Sequence, residues 1–227
     1  MTLSGLHTNN EKGAEAWLPR LFPYPERMKE DILEQLVDEY LMHKGYFTMH
    51  NVKFKPPSND PDFVRNQDSV ASDIDVIAIH PGIQGPDRII VVSCKSWQDG
   101  FDPNACLNHI ANNTKYAGRE AWRGFRELCN PKWSRAFLNA VEAATGSRNF
   151  TYWTAVTNVT KNRSREPWEK NADFIAAIGG NPIRLISFAD MLDDVWDKLS
   201  TTPAATEVGR MIQLMKASRW MDSRSKV

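Results

Sequence analysis

The sequence predicts an α/β protein in which a mixed central sheet is flanked by helices. Segments with helical spacing of apolar residues alternate along the chain with short runs rich in β-branched residues. This alternation is typical of a sheet covered by helices on both faces. The 227 residues fit one domain with appendages. We divide them into an N-terminal arm (1–25), an α/β domain (26–200), and a C-terminal helix and tail (201–227).

The first helix is predicted from Glu26 to Lys44. Apolar residues recur there at helical spacing, whereas residues 1–25 are interrupted by prolines and show no such period. Gly45 follows, and a glycine at this place commonly ends a helix. Tyr46–Val52 then reads as a strand.

The centre of the chain is a predicted β-hairpin. Two apolar, β-branched segments, 72–79 and 89–97, are separated by a linker with proline and glycine that favours a turn. Asp75 and Lys95 stand near the ends of these strands. Burying a charge is costly unless it is paired or binds a ligand. Both a strand-end ion pair and a functional site remain open from these two residues alone.

The second half of the chain continues the alternation. Asp102 and Pro103 are typical of a helix start, so a helix is predicted from Pro103 to about Cys129, with a break at Gly118. The remaining predicted elements are a helix at 131–144, a central strand at 150–157, a helix at 166–178, a strand at 183–187, and helices at 189–199 and 204–218.

The helix predicted from Pro103 carries a row of basic residues. Lys115, Arg119, Arg123 and Arg126 recur at helical spacing and would form a stripe on one face. Such a stripe neutralises backbone phosphates in nucleic-acid complexes. The alternative is a solvated face with intrahelical ion pairs.

A second basic group follows the predicted central strand. Lys161, Arg163 and Arg165 lie in the loop after residues 150–157, and ligands bind at this edge of open α/β sheets. The chain has 28 basic and 28 acidic residues, so its net charge is zero. Any nucleic acid must therefore be bound by a local basic patch.

The cysteines and the hydropathy predict a cytoplasmic protein outside membranes. Cys94, Cys106 and Cys129 fit no zinc-binding spacing and leave an odd thiol in any disulfide scheme. No apolar run is long enough to span a bilayer, and the first residues lack the pattern of a signal peptide.

From Glu26 to Leu128 the sequence resembles the PD-(D/E)XK nuclease superfamily. Asp75 lies on one strand, and Val92-Ser93-Cys94-Lys95 on the next has the hydrophobic–acid–x–Lys arrangement except at Ser93. The order is that of Holliday-junction resolvases and Mrr-like restriction enzymes: a helix bearing a glutamate, the aspartate strand, the lysine strand, then a helix. The resemblance implies a restriction-endonuclease-like fold.

The resemblance also implies a metal-dependent DNA endonuclease that uses Mg²⁺ or Mn²⁺. Asp75 and the backbone carbonyl of Cys94 would bind the metal, and Lys95 would orient the attacking water. Ser93 occupies the catalytic position where the family usually has Glu or Asp. Counted back from the glycine that closes the helix, the family's helix glutamate corresponds to Glu34.

Several alternatives stay open at this stage. Glu30 and Glu39 compete with Glu34 for the helix position. Some restriction enzymes of the superfamily carry Ser at the acid position and recruit a Glu from the following helix, for which Glu120 is the candidate here, ahead of Asp99. The second hypothesis is a catalytically degenerate nuclease fold that serves as a DNA-binding or protein-interaction module. The sequence leaves the oligomeric state open, a homodimer included.

Overall fold

The computed structural model describes residues 31–160, 163–200 and 203–218. The strands of this part are β1 (Phe47–Phe54), β2 (Ser72–Ile79), β3 (Ile89–Lys95), β4 (Lys115–Tyr116), β5 (Arg119–Glu120), β6 (Thr151–Val156) and β7 (Ile183–Ser187). Its α-helices are α1 (Ile32–His43), α2 (Arg65–Asp68), α3 (Pro103–Ala111), α4 (Arg126–Cys129), α5 (Pro131–Thr145), α6 (Glu166–Glu169), α7 (Ala172–Ala177), α8 (Phe188–Val195) and α9 (Glu207–Ala217). The predicted arm, 1–25, and the tail from residue 219 lie outside the described residues.

Five of the described strands form one mixed sheet in the order β1-β2-β3-β6-β7. The first three are antiparallel neighbours, and β2 and β3 form the predicted hairpin. The last two run parallel to β3, because helices α3 to α7 connect them and a parallel pair needs such a crossover. The α/β fold class, a mixed sheet flanked by helices, is confirmed.

Side chains alternate across the central strands and build a core on each face. Val91 and Tyr152 pack on one face with Trp133 of α5, and all three are fully buried. Val92 and Trp153 pack on the other face, where α1, α8 and α9 cover the sheet. Each fully buried apolar side chain contributes about 1.5–3 kcal/mol to stability.

The first helix is shorter than predicted. Asp31 adopts an extended backbone, and its carboxylate accepts a hydrogen bond from the Leu33 amide at 2.8 Å, so α1 begins at Ile32 and not near Glu26. Residues 26–30 lie outside the described part. Gly45 follows the helix with a φ of 89°, a left-handed conformation that glycine adopts without strain.

The predicted helix over 103–129 is wrong beyond Ala111. Asn113, Ala117 and Gly118 have φ values of 51°, 48° and 83°, which no right-handed helix accommodates. The chain instead forms a short hairpin, in which Lys115 pairs with Glu120 and Tyr116 with Arg119. A 3₁₀ turn and the four-residue helix α4 then lead to α5.

Other differences concern element ends. The helix predicted at 166–178 is two helices, because the side chain of Asn171 accepts from the Phe174 amide and starts α7. The helix predicted at 204–218 begins at Glu207, after the cap Thr206. Helix α8 ends at Val195, and 3₁₀ structure follows at 198–200. The strands predicted at 150–157 and 183–187 are confirmed as β6 and β7.

No helix in the described residues has the length and apolar character needed to cross a bilayer. Cys94, Cys106 and Cys129 are all free thiols.

Candidate active site

Asp75 and Cys94 meet where β2 and β3 separate. Their ladder ends at the pair Val76 and Val92. Beyond this pair β3 remains hydrogen-bonded to β6, because Lys95 still pairs with a residue of β6. The Cys94 amide donates a hydrogen bond of 2.5 Å to Oδ2 of Asp75. The Asp75 side chain therefore takes the place of a strand carbonyl at the mouth of the hairpin.

The charge environment of Asp75 is unusual for a carboxylate. Burial raises the pKa of Asp75 to about 6, although Lys95 and the Cys94 amide act in the opposite direction. The negative charges of Asp73 and Glu127 also raise the pKa of Asp75. Two further carboxylates thus lie within electrostatic range of Asp75. A carboxylate in these surroundings is stabilised by a bound cation.

Lys95 does not form the ion pair with Asp75 that the sequence left open. Among the described residues its ammonium makes no ion pair within 4 Å, and it donates instead to Ser93 Oγ at 2.6 Å and to the Cys94 carbonyl at 3.1 Å. The ammonium also lies 5.4 Å from the centre of the Phe125 ring. Its bonded partners are neutral, so its charge remains available for an anion.

Ser93, Tyr152 and Glu127 continue the contacts of Lys95 into the core. The phenol of the fully buried Tyr152 donates to Oε1 of Glu127 at 2.5 Å. Burial and the charge of Glu127 raise the pKa of Tyr152, while Ser93 acts against them. Lys95, Ser93, Tyr152 and Glu127 therefore form one row of polar contacts.

Glu127 was not among the residues expected from the sequence. It lies on α4, where the Ser134 hydroxyl donates to its backbone carbonyl at 2.7 Å, and its side chain is only 6% exposed. Glu120, the expected substitute, is on β5 and forms an ion pair with Arg123. Asp99 is exposed in the turn after β3. Glu127 is, with Asp73, one of the two carboxylates whose charge raises the pKa of Asp75.

The first turn of α1 lies beside the end of β3. The hydroxyl of Ser96 donates to the Asp31 carboxylate. Burial raises the pKa of the Cys94 thiol, and the charges of Asp75, Glu34 and Asp31 raise it further. Glu34 is thus within electrostatic range of the site, as the resemblance implies. The raised pKa also keeps Cys94 a thiol, which makes it a poor nucleophile.

The two competitors for the helix position are elsewhere. Glu30 lies outside the described residues. Glu39 is fully buried, and its carboxylate accepts from the amides of Ala205 and Thr206 at 3.2 and 2.7 Å. Glu39 therefore anchors the segment before α9 to α1.

The predicted basic stripe does not exist as a helix face. Lys115 and Arg119 are exposed on the β4–β5 hairpin, and Arg123 lies in the following 3₁₀ turn, paired with Glu120. Arg126 is half-buried with its guanidinium 4.6 Å from the Trp133 ring, and burial lowers its pKa.

The β4–β5 hairpin nevertheless lies on the side of the candidate site. Its Tyr116 ring is 5.1 Å from Trp97, which follows Lys95 by two residues. In the loop after β6, Arg163 pairs with Asp102, and Arg165 pairs with Asp190 on α8. Lys161 is outside the described residues.

The donors at this site fit a hard cation. No three His, Cys, Asp or Glu side chains in the described residues converge as a complete metal-binding group. Mg²⁺ does not need such a group, because it usually keeps several waters and binds one or two carboxylates together with substrate phosphates. Asp75 and Glu127 each have one oxygen fixed by a protein donor, and within the described part of the chain their other oxygens accept no hydrogen bond.

Comparison of the chain with family models, curated proteins and solved structures gives no match.

Proposed function

We propose that this protein is a metal-dependent DNA endonuclease that hydrolyses phosphodiester bonds. The observation that carries the proposal is the mouth of the β2–β3 hairpin, where Asp75, the Cys94 carbonyl and the Lys95 ammonium come together. The order of elements around it agrees with the resemblance to PD-(D/E)XK nucleases: α1 with Glu34, β2 with Asp75, β3 with Lys95, then α3.

The residues of the site have separate tasks. A bound Mg²⁺ or Mn²⁺ would acidify a water and stabilise charge on the phosphate. Asp75 would hold the cation with a carboxylate oxygen, and the Cys94 carbonyl, which accepts from the Lys95 ammonium, would supply a second oxygen. Lys95 would orient the attacking water and offset the phosphate's negative charge. Glu34 would reach the cation through water.

The substrate contacts come from the hairpin beside the site. Lys115 and Arg119 are exposed and make no ion pair among the described residues, so both charges are available for phosphates. Arg163 is exposed and Arg123 half-buried, and both would exchange their partners Asp102 and Glu120 for phosphate oxygens.

One observation favours a second candidate, a degenerate nuclease fold that binds DNA or a protein without cleaving it. Ser93 carries no charge, and the Cys94 carbonyl accepts a hydrogen bond from Lys95. A site that binds no metal would leave these contacts as they are.

Cleavage of supercoiled plasmid and of single-stranded DNA separates the two candidates. The parent protein with Mg²⁺ or Mn²⁺ should cut, and EDTA should abolish cutting. Lys95→Ala and Asp75→Asn should each lower the rate by roughly 10³-fold or more, because each removes a charge used in the transition state. The matched control is Lys44→Ala, since Lys44 pairs with Asp194 near the start of β1, at the opposite end of the sheet. Binding without cleavage would favour the second candidate.

A further inference from the structure

Ser93 links two charged groups that lie on different elements. Its hydroxyl accepts from Lys95 Nζ at 2.6 Å, and Ser93 also acts on the phenol of Tyr152, whose pKa it lowers. Tyr152 in turn donates to Glu127 at 2.5 Å. Lys95 thus donates to one member of the Ser93–Tyr152 pair, and the other member donates to Glu127.

Glu127 is a buried carboxylate whose side chain has only a neutral partner among the described residues. Its side chain is 94% removed from solvent, yet it forms no ion pair within 4 Å in the described residues. The phenol of Tyr152 is neutral and occupies Oε1 alone. A buried carboxylate usually requires a charged partner or a metal. Asp75 lies within electrostatic range of Glu127.

We propose that Glu127 is the second metal-binding carboxylate of this site and replaces the acid that Ser93 does not provide. Tyr152 and Ser93 are positioning residues that fix Glu127 and Lys95 relative to each other. This inference rests on the proposed function, because it assigns a ligand to the cation of the same site.

The geometry explains how a carboxylate on α4 can serve a site on β3. Tyr152 and Ser93 lie on neighbouring parallel strands, and both side chains face the core that contains α4. The phenol holds one oxygen of Glu127 and leaves the other for a cation. Metal-binding carboxylates are commonly oriented by such a hydrogen bond, and its loss typically lowers metal affinity by about 10–100-fold.

A structural role is the competing interpretation. Glu127 would then only satisfy the phenol of Tyr152, and a neutral acceptor would serve as well. Gln keeps the shape and an acceptor oxygen for Tyr152, so Glu127→Gln separates the interpretations. Adding Ser93→Glu to the same protein restores a carboxylate on β3. A structural role of Glu127 does not predict that this second change recovers metal binding.

The experiment is calorimetric titration of Mn²⁺ into metal-free protein, with thermal unfolding to confirm the fold of each variant. Glu127→Gln should weaken Mn²⁺ binding by about 100-fold, and Tyr152→Phe by about tenfold. The double variant Ser93→Glu/Glu127→Gln should return to within about tenfold of the parent. Glu142→Gln, which changes an exposed carboxylate paired with Arg148, is the matched control. If Glu127→Gln does not fold, Tyr152→Phe decides.

The outcomes distinguish a failure of the Glu127 assignment from a failure of the proposed nuclease function. A parent that neither binds Mn²⁺ nor cleaves DNA overturns the proposed function and the role of Glu127 with it. If the parent binds, Asp75→Asn does not, and Glu127→Gln binds like the parent, only the inference fails. Loss of binding in Glu120→Gln, with Glu127→Gln unaffected, overturns the inference and returns the role to Glu120.

Discussion

Asp68 is a fully buried aspartate and Asp75 a partly buried one, and of these two only Asp68 forms an ion pair among the described residues. Asp68 pairs with Lys132 at 2.7 Å and accepts from the Val64 amide and the Trp133 indole at 2.7 and 2.9 Å. Burial acts to raise the pKa of Asp68, yet these bonds hold it below its ordinary value. Asp75 has one amide donor, and its pKa is raised to about 6.

The difference separates a carboxylate that stabilises the fold from one that, in the proposed function, binds a cation. Asp68 ties the segment before β2 to α5, and every strong partner it needs comes from the chain. Asp75 lies where two strands part, and Lys95 and the Cys94 amide offset only part of the effect of burial on its pKa. Perturbed carboxylates of this second kind cluster at functional sites.

Removing the Lys132 ammonium that pairs with Asp68 should have the largest effect on stability. Lys132→Met leaves Asp68 buried without its charged partner, so we expect unfolding free energy to fall by about 3–5 kcal/mol. Chemical denaturation measures this change. Lys170→Met is the matched control, because Lys170 forms an exposed pair with Glu166 and its loss should change stability little. A loss below about 1 kcal/mol for Lys132→Met would contradict the structural role of the pair.

Neutralising Asp75 should increase the stability of the metal-free protein. Its pKa is higher in the folded than in the unfolded state, so parent stability falls as pH rises from about 4 to about 6. In EDTA, Asp75→Asn should therefore be more stable than the parent by about 3 kcal/mol at pH 8, and equal to it below about pH 4. Denaturation curves across this range test the prediction.

The matched variant for Asp75→Asn is Asp190→Asn. Burial acts to raise the pKa of Asp190, but hydrogen bonds from Ser187 and the charge of Arg165 keep it below its ordinary value. The Asn variant at this position should lose stability at pH 8. If Asp75→Asn also destabilises the metal-free protein at pH 8, Asp75 is a structural residue and the comparison fails.

Basic residues also divide into paired and unpaired ones, and the effect expected from removing the unpaired ones is smaller. Arg165 is paired with Asp190, whereas Lys115 and Arg119 have no ion pair within the described part of the chain. The double variant Lys115→Ala/Arg119→Ala should reduce the slope of log affinity for DNA against log salt by about two, which is about 2 kcal/mol at 0.15 M salt. Arg148→Ala, at the start of β6, should leave the slope unchanged.

Fluorescence anisotropy with a labelled duplex, repeated from low to high salt, measures both slopes. An unchanged slope in the double variant would show that the hairpin does not contact DNA.

The sheet could be predicted from the sequence because its signals are local. The β-branched runs around Asp75 and Lys95, with proline and glycine between them, define a hairpin without reference to the rest of the chain. The charged residues inside these apolar runs also marked the site. The helix predicted through Arg119 is wrong for the opposite reason. Ala117 adopts a left-handed conformation that alanine rarely adopts, and Asn113 adopts one that asparagine favours but that its helical context does not indicate.

Glu127 could not be found from spacing, because its place depends on how α4 packs against the sheet. A signal was nevertheless present. Tyr152 lies in the middle of a strand that is buried throughout, and a buried phenol usually needs a hydrogen-bond partner. A search for the partner of Tyr152 would have directed attention to the acidic residues of the preceding helices.

The bond between the Cys94 amide and the Asp75 side chain has a spectroscopic consequence. Other amides of β3 donate to strand carbonyls, whose charge does not change, whereas this one donates to a group that titrates near pH 6. The chemical shift of the Cys94 amide proton should therefore follow the ionisation of Asp75. The exchange of this proton with solvent deuterium should follow opening of the hairpin mouth.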